Sequence, residues 1–259
     1  MSAFDDSVIV KSIIASVLGN RTDIIISLKY SDDLYSDAVA LCENETYLGF
    51  LKSLSHGMRA RFNSFNGAYI LPRDIFSKQL ILVSNKQRSD GYSHFSTIAH
   101  ETQHAKNHTI FCELYCNKDI NQISEHANNA SFQVWDEFAA RRTGHRLYSS
   151  YTLQKILGFS ELDLQKMLEE DQFPIRLKQI QDILSSGASM DQYKEIATIL
   201  GMFHVWETDY RIDIQSRLGA WALELYLALS RYDSIETVDF DILSSEINKL
   251  RSSWERGEF

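Results

Sequence analysis

The sequence predicts an α+β protein with a mixed first half and an all-helical remainder. All three predicted strands fall between residues 22 and 85, where short β-branched runs end at turn residues. Beyond residue 150 the apolar residues recur at helical spacing, and only Pro72 and Pro174 interrupt the 259-residue chain. We therefore expect a first domain over residues 1–150 and a helical region over residues 151–259 packed on it, with a soft boundary near Ser150.

The first half alternates strands with helices. Three stretches predict strands: "TDIIISLKYS" (22–31), "GAYILP" (67–72) and "QLILVSN" (79–85). Residues 32–57 have the spacing of one helix ending at Gly57, and "NKQRSDGYS" (85–93) predicts a loop. The stretch "STIAHETQHAKNH" (96–108) then predicts another helix.

Helices dominate the rest of the chain. One helix is expected from about residue 124 to 148, around "VWDEFAARRTGHRL". Five amphipathic stretches follow, at residues 160–171, 173–187, 190–207, 212–230 and 239–255. Ser160 and Asp163 are typical of the start of a helix. Pro174 is typical of the first turn of the next helix, and Gly187 is typical of the end of that helix.

The composition and net charge of the chain limit the kinds of molecule that it is expected to bind. The chain is 44% hydrophobic and 24% charged, with a formal net charge of −9, and it has no basic block. This balance argues against binding to nucleic acid or an anionic membrane, so a protein or peptide partner is expected. Residues 1–20 lack the pattern of a signal peptide, and the most apolar stretch, "AWALELYLAL" (220–229), is short and contains Glu224. We expect a cytoplasmic protein.

Three cysteines, Cys42, Cys112 and Cys116, are an odd number, and two of them lie four apart in a predicted helix. A disulfide framework is therefore not expected.

The helix at residues 96–108 contains the pattern HExxH, formed by His100, Glu101 and His104 with two residues between. Residues four apart on a helix lie one turn above each other and can offer two imidazole nitrogens to one tetrahedral metal ion. Glu101 then lies to the side, near the position of a metal-bound water. The apolar or small residues of the same helix fall on its opposite face: Phe95, Ile98, Thr102 and Ala105.

Residues 67–104 resemble the ImmA/IrrE-like zinc peptidases, in which two strands precede a helix reading much like "FSTIAHETQH". The order of strand, loop and active-site helix is that of zincin metallopeptidases. The resemblance implies a zincin-like half with a small sheet and active-site helices, zinc bound by His100 and His104, and Glu101 as general base. A helix that carries two histidines by coincidence is the alternative.

A catalytic zinc usually has three protein ligands and one open position. Asn107 and Ile110 stand where the metzincin pattern would need glycine and histidine, so a gluzincin-like arrangement with a glutamate from a following helix is favoured. Glu137 in "WDEFAARR" is our choice, because its apolar neighbours place it near a buried face. Its alternative role is a surface pair with Arg141. The other candidate ligands, in descending order, are Glu125, then Asp136 and Glu113.

Several further polar residues lie in the predicted helices. Three continue the four-residue spacing after His104 and are expected to have packing or capping roles: His108, Cys112 and Cys116. Four residues are unranked candidates for stabilising an oxyanion: His145, Tyr148, His204 and Tyr210.

The expected function is hydrolysis of peptide bonds by a zinc-activated water, with a peptide or protein substrate extended along "GAYILP". One alternative is a non-catalytic zinc-binding interaction or regulatory protein on a zincin scaffold. Another is a protease that cleaves a single regulatory or host target. The helical C-terminal region could bind a dedicated protein partner.

Overall fold

The computed structural model describes residues 6–89, 93–187 and 189–259, which form two compact units, Met1–His126 and Ala127–Phe259. The α+β class is confirmed, because a small sheet accompanies many helices. The units divide well before the soft boundary predicted near Ser150. Ser150 instead lies inside continuous helical backbone that runs from Asn129 to Ile156.

The first unit contains three strands and six helices in its described residues. The strands are β1 (Ile26–Ser31), β2 (Gly67–Ile70) and β3 (Gln79–Ser84). The helices are α1 (Asp6–Leu18), α2 (Leu34–Leu41), α3 (Glu45–Ser53), α4 (His56–Asn63), α5 (Asn85–Ser89) and α6 (Ser93–Tyr115). A 3₁₀ turn follows at Ile120–Glu125.

The sheet has the order β1-β3-β2, so β2 is an outer strand. β1 runs parallel to β3, whereas β2 runs antiparallel to it, with Ala68 opposite Leu82 and Ile70 opposite Leu80. Side chains alternate between the two faces of a strand. Gly67 and Tyr69 therefore lie on one face of β2, and Ala68 and Ile70 lie on the other.

Helices cover both faces of this sheet. On one face Ile70 and Leu82 join an apolar cluster with residues of α2, α3 and α4, including Leu34, Leu51 and Phe62. On the other face α6 packs against β2 and β3, and α1 packs against α6. The helix that carries HExxH thus packs against both the sheet and α1.

The prediction of one helix over residues 32–57 was wrong, since the chain forms three short helices there. Asp33, Asn44 and Ser55 each begin one of them by accepting a hydrogen bond from a main-chain N–H of the first turn. Gly57 lies in the first turn of α4 and does not end a helix. The capping side chains divide this segment into separate helices, whereas the apolar spacing alone predicted one continuous helix.

The predicted loop at residues 85–93 was also wrong in part, because its first five residues form α5. Residues 90–92 lie outside the described chain. The strands predicted at residues 67–72 and 79–85 and the helix that carries HExxH are confirmed. Helix α6 is longer than predicted at both ends.

The second unit is helical throughout its described residues. Its helices are α7 (Asn129–Leu147), α8 (Glu161–Lys166), α9 (Phe173–Ser186), α10 (Met190–Tyr210), α11 (Ala220–Ser230) and α12 (Phe240–Glu255). π-helical backbone continues α7 over Tyr148–Ile156 and α8 over Met167–Gln172.

The long helices α7 and α10 form the centre of this unit. They approach closely at Gly201, where a Cβ would lie 2.5 Å from the carbonyl oxygen of Phe138. The predicted helix start at Ser160 is confirmed, as are Pro174 in a first turn and Gly187 as a stop.

Cys42, Cys112 and Cys116 are free thiols. Among the described residues, none of the helices has the length and apolar character needed to cross a membrane.

Candidate functional site

Helix α6 has a buried face and a half-buried face. Phe95, Ile98, Thr102 and Ala105 are fully buried, as the helical spacing predicts. His100 and His104 are half-buried on the other side. The two histidines therefore lie on one face of a helix whose opposite face packs in the core of the first unit.

The two imidazoles converge. Nε2 of His100 lies 3.0 Å from Nε2 of His104, and the two rings are nearly perpendicular at 85°. Two nitrogens bound to one tetrahedral zinc at ordinary Zn–N distances are about 3.3 Å apart. Neutral imidazole nitrogens at this separation fit two positions of a zinc coordination shell, so the donor set suits that metal.

Glu101 is buried beside the two histidines, with 8% of its surface exposed. Its Oε2 accepts a hydrogen bond of 2.8 Å from the main-chain N–H of Tyr69 on β2. Glu101, which was predicted to lie to the side of the two histidines, therefore contacts the outer strand of the sheet. The Tyr69 N–H is bound to Glu101 and not to β3, so it lies on the outer side of β2.

Gly67 allows β2 to lie this close to α6. A Cβ at position 67 would be 2.5 Å from Cγ2 of Thr97 and 3.3 Å from Cγ of Glu101. Both distances are shorter than ordinary contacts between carbon atoms. Glycine is therefore required at this point of the strand, two residues before the N–H that binds Glu101.

A chain of hydrogen bonds, one partly buried and two buried, connects Tyr69 to α6. The Tyr69 hydroxyl donates to Oε1 of Gln79 at 3.0 Å, and Nε2 of Gln79 donates to Oγ1 of Thr109 at 2.7 Å. Thr109 in turn donates to the carbonyl of Ala105 on the same helix at 2.9 Å. The Tyr69 ring also packs edge-on against His108, with ring centres 5.3 Å apart. His108 thus has a packing contact, as predicted.

Tyr47 on α3 is an aromatic residue of this region that the sequence did not single out. Burial raises the pKa of its hydroxyl to about 12, and the nearby charges of Cys42 and Glu101 add to the rise. The buried surroundings of Tyr47 therefore favour the protonated hydroxyl over the phenolate. Tyr47 belongs to no motif and Tyr69 was predicted only as part of the strand "GAYILP", so the fold was needed to identify their roles.

Two of the acidic candidates lie in the first unit. Glu113 makes a two-bond ion pair with Arg21, at 2.8 and 3.0 Å, which gives it a structural role on α6. Glu125 is exposed at the end of the 3₁₀ turn.

The other two acids lie on α7 in the second unit. Trp135, Phe138 and Ala139 are buried, as expected for the surroundings of Glu137, but Glu137 itself is half-buried. The fully buried acid of this helix is Asp136, with 3% of its surface exposed. Burial therefore favours Asp136 more than the sequence indicated, and the choice of Glu137 as third ligand stays a prediction.

The four oxyanion candidates all lie in the second unit. Nε2 of His145 accepts a hydrogen bond of 2.6 Å from the Trp206 indole, and burial lowers the pKa of His145 to about 3. Burial, followed by the charge of Arg142, lowers the pKa of His204 to about 4. Tyr210 is buried and Tyr148 half-buried. The two histidines have partners in the helical core, which favours packing roles for them.

No model of a known protein family, no curated protein and no solved structure matches the chain. The resemblance of residues 67–104 to zinc peptidases therefore stays a prediction based on their motif.

Proposed function

We propose that the chain is a zinc-dependent metallopeptidase. The observation that carries the proposal is the convergence of the His100 and His104 Nε2 atoms, 3.0 Å apart, beside a buried glutamate. A pair of imidazoles alone would suit many metal sites. A carboxylate held next to the pair is the feature that a hydrolytic site needs.

His100 and His104 would hold the zinc, and Glu137 on α7 is proposed from the sequence as the third protein ligand. Bound zinc supplies Lewis acidity, which polarises a peptide carbonyl and lowers the pKa of a water molecule. Each histidine must be neutral at Nε2 to bind, so the site would lose metal as the pH falls through the range in which imidazole is protonated.

Glu101 is the proposed general base. It would take a proton from the attacking water and deliver it to the leaving amine when the peptide bond breaks. The hydrogen bond from the Tyr69 N–H holds Oε2, which limits rotation of the carboxylate. Such a fixed position favours proton transfer, because the base does not have to reorient during the reaction.

The proposed substrate is a peptide in extended conformation along β2. This strand is an outer strand of the sheet, and the substrate would pair with main-chain groups of its outer edge other than the Tyr69 N–H, which is bound to Glu101. Backbone pairing with such an edge recognises main chain, while side chains on alternate positions set specificity. A single protein target and a broad range of peptides are both compatible with this arrangement.

A mixture of unstructured peptides tests the proposal. The protein, loaded with zinc, is incubated with a proteome-derived peptide library, and new termini are identified by mass spectrometry. We expect cleavage by the wild type that is abolished by a chelator and by Glu101→Gln. Absence of cleavage by a zinc-loaded wild type would favour the non-catalytic zinc-binding alternative, and cleavage that persists in Glu101→Gln would contradict the role of this residue.

A further inference from the structure

Arg141 lies where α7 passes closest to α10 in the second unit. A Cβ added at Gly201 of α10 would be 3.1 Å from the Cβ of Arg141. One turn further along α7, Nε2 of His145 accepts a hydrogen bond of 2.6 Å from the Trp206 indole of α10. Residues four apart are neighbours on the surface of a helix. Arg141 and His145 therefore share the face of α7 that packs on α10.

Helix α9 brings a second arginine to the same region. Its first residue, Phe173, packs against Phe203 of α10 with ring centres 4.8 Å apart, and Phe203 packs against Trp206 at 5.1 Å. Arg176 follows Phe173 by about one turn, so both side chains leave the same side of α9. Arg176 therefore extends towards the part of α10 that also contacts His145.

The charges of both arginines act on the His145 ring. Burial is the main cause that lowers the pKa of His145 to about 3, and the charges of Arg141 and then Arg176 lower it further. Asp209 acts in the opposite direction, but its carboxylate already accepts hydrogen bonds of 2.7 and 3.1 Å from Arg146. The two arginines are therefore a source of positive potential beside His145.

Two donors of this region are available to a ligand. Nη1 of Arg176 donates to Oε1 of Gln179 at 2.8 Å, whereas Nε of Arg176 is buried and has no acceptor among the residues that the structure describes. A buried donor without an acceptor is costly, and more so on a charged group. Because Nε2 of His145 accepts the Trp206 bond, the ring proton of the neutral imidazole lies on Nδ1, which is the second donor.

We propose that Arg141, His145 and Arg176 bind a phosphate group. Guanidinium groups and the Nδ1–H of an imidazole are donors, so the ligand must supply acceptors. A cation would be repelled by the arginines. A phosphate group carries about two negative charges and several acceptor oxygens, and its geometry matches that of guanidinium groups.

Glu137, one turn before Arg141 on α7, is an acid that could compete with the ligand. Its single charge can neutralise one of the two arginines but not both. A carboxylate ligand also has a single charge, so it should bind more weakly than phosphate. The proposal concerns residues of the second unit, and it depends neither on zinc nor on peptide hydrolysis.

Isothermal titration of the full-length protein with inorganic phosphate, at concentrations up to about 20 mM, tests the proposal. Sodium chloride keeps the ionic strength constant, so that general screening does not contribute. We expect saturable binding of inorganic phosphate or of methyl phosphate, and at least about tenfold weaker binding of acetate. The tighter of the two phosphates shows whether the site takes the free ion or a phosphate ester.

Three variants locate the binding. Arg141→Gln and Arg176→Gln should each weaken phosphate binding about tenfold or more, because each loses a charge-assisted hydrogen bond. Lys178→Gln is the matched control, since it removes an exposed cation of the same helix α9 and should bind like the wild type. Circular dichroism checks that each variant is folded.

Urea denaturation gives a second measurement. Phosphate should raise the unfolding midpoint of the wild type and of Lys178→Gln, and it should leave that of Arg176→Gln nearly unchanged. Three results would each overturn the proposal: no saturable binding of either phosphate to the wild type, acetate binding as tight as phosphate binding, or wild-type affinity in either folded arginine variant.

Discussion

The main-chain N–H of Tyr69 on the outer strand β2 donates a hydrogen bond of 2.8 Å to Oε2 of Glu101 on α6. This bond joins the strand proposed to bind substrate to the residue proposed to move the proton. It exists because Gly67 lets β2 approach α6, and because the Tyr69 side chain is anchored through Gln79.

Replacement of Glu101 tests both functions of this bond. Glu101→Gln should keep the fold and the metal, because the amide oxygen can still accept the Tyr69 N–H. It should lower peptide hydrolysis by about 10²–10⁴-fold, since an amide cannot take the proton. Glu101→Ala should lose activity and also about 1–3 kcal/mol of unfolding free energy, because it leaves the N–H without its acceptor. Urea denaturation compares the two variants; equal stability would contradict the structural role.

Gly67→Ala should destabilise the first unit by about 1–3 kcal/mol, because the added methyl overlaps Cγ2 of Thr97. Removal of that Cγ2 in the double variant Gly67→Ala with Thr97→Ser should restore part of the loss. Gly49→Ala is the matched control, since open space surrounds Gly49 within α3 and alanine favours helix. A wild-type unfolding midpoint for Gly67→Ala would show that the strand and helix are not constrained at this point.

The zinc affinity of three variants tests which acidic residue is the third protein ligand. Glu137→Ala should weaken zinc affinity more than about 100-fold, whereas Glu125→Ala should leave it nearly unchanged. Asp136→Asn is the decisive comparison, because Asp136 is the buried acid of α7. A competitive zinc-chelator titration measures all three. Loss of affinity in Asp136→Asn with normal affinity in Glu137→Ala would assign the ligand to Asp136.

His145 should make stability depend on pH. Burial lowers its pKa to about 3 in the folded protein, from 6.5 for an ordinary histidine. The unfolded chain therefore binds the proton more readily, so this contribution to stability is complete above about pH 6.5 and is lost as the pH falls towards 3. The slope is at most about 1.4 kcal/mol per pH unit.

His145→Gln keeps an acceptor for the Trp206 indole but does not titrate. Urea denaturation of the metal-free protein at several pH values should therefore show a shallower dependence for this variant. His56→Gln, which changes an exposed histidine on α4, serves as the control. Identical slopes for His145→Gln and the wild type would contradict the inferred burial effect.

The local patterns of the sequence were sufficient for much of the fold. Alternation and β-branching identified the three strands, and the apolar face of α6 was predicted residue by residue. The error over residues 32–57 arose because apolar spacing continues across two helix ends. There the capping side chains of Asn44 and Ser55 decide where a new helix begins.

Only the site residues that lie close together in the sequence could be predicted from it. His100, Glu101 and His104 lie within two turns of one helix, so a spacing rule identifies them. Tyr69 binds Glu101 through its main chain, and a main-chain N–H leaves no signature in a sequence. Gly67 and Tyr47 contribute through close approach and burial, which depend on how distant segments pack.

Metal analysis of the purified protein tests the central claim that His100 and His104 form a zinc site. We predict about one zinc per chain in the wild type after dialysis against zinc, and less than about 0.1 in His100→Ala and in His104→Ala. His108→Ala removes the next histidine of the series and should retain the metal. Full zinc occupancy in either His100→Ala or His104→Ala, or a folded wild type that takes up no zinc, would contradict the account.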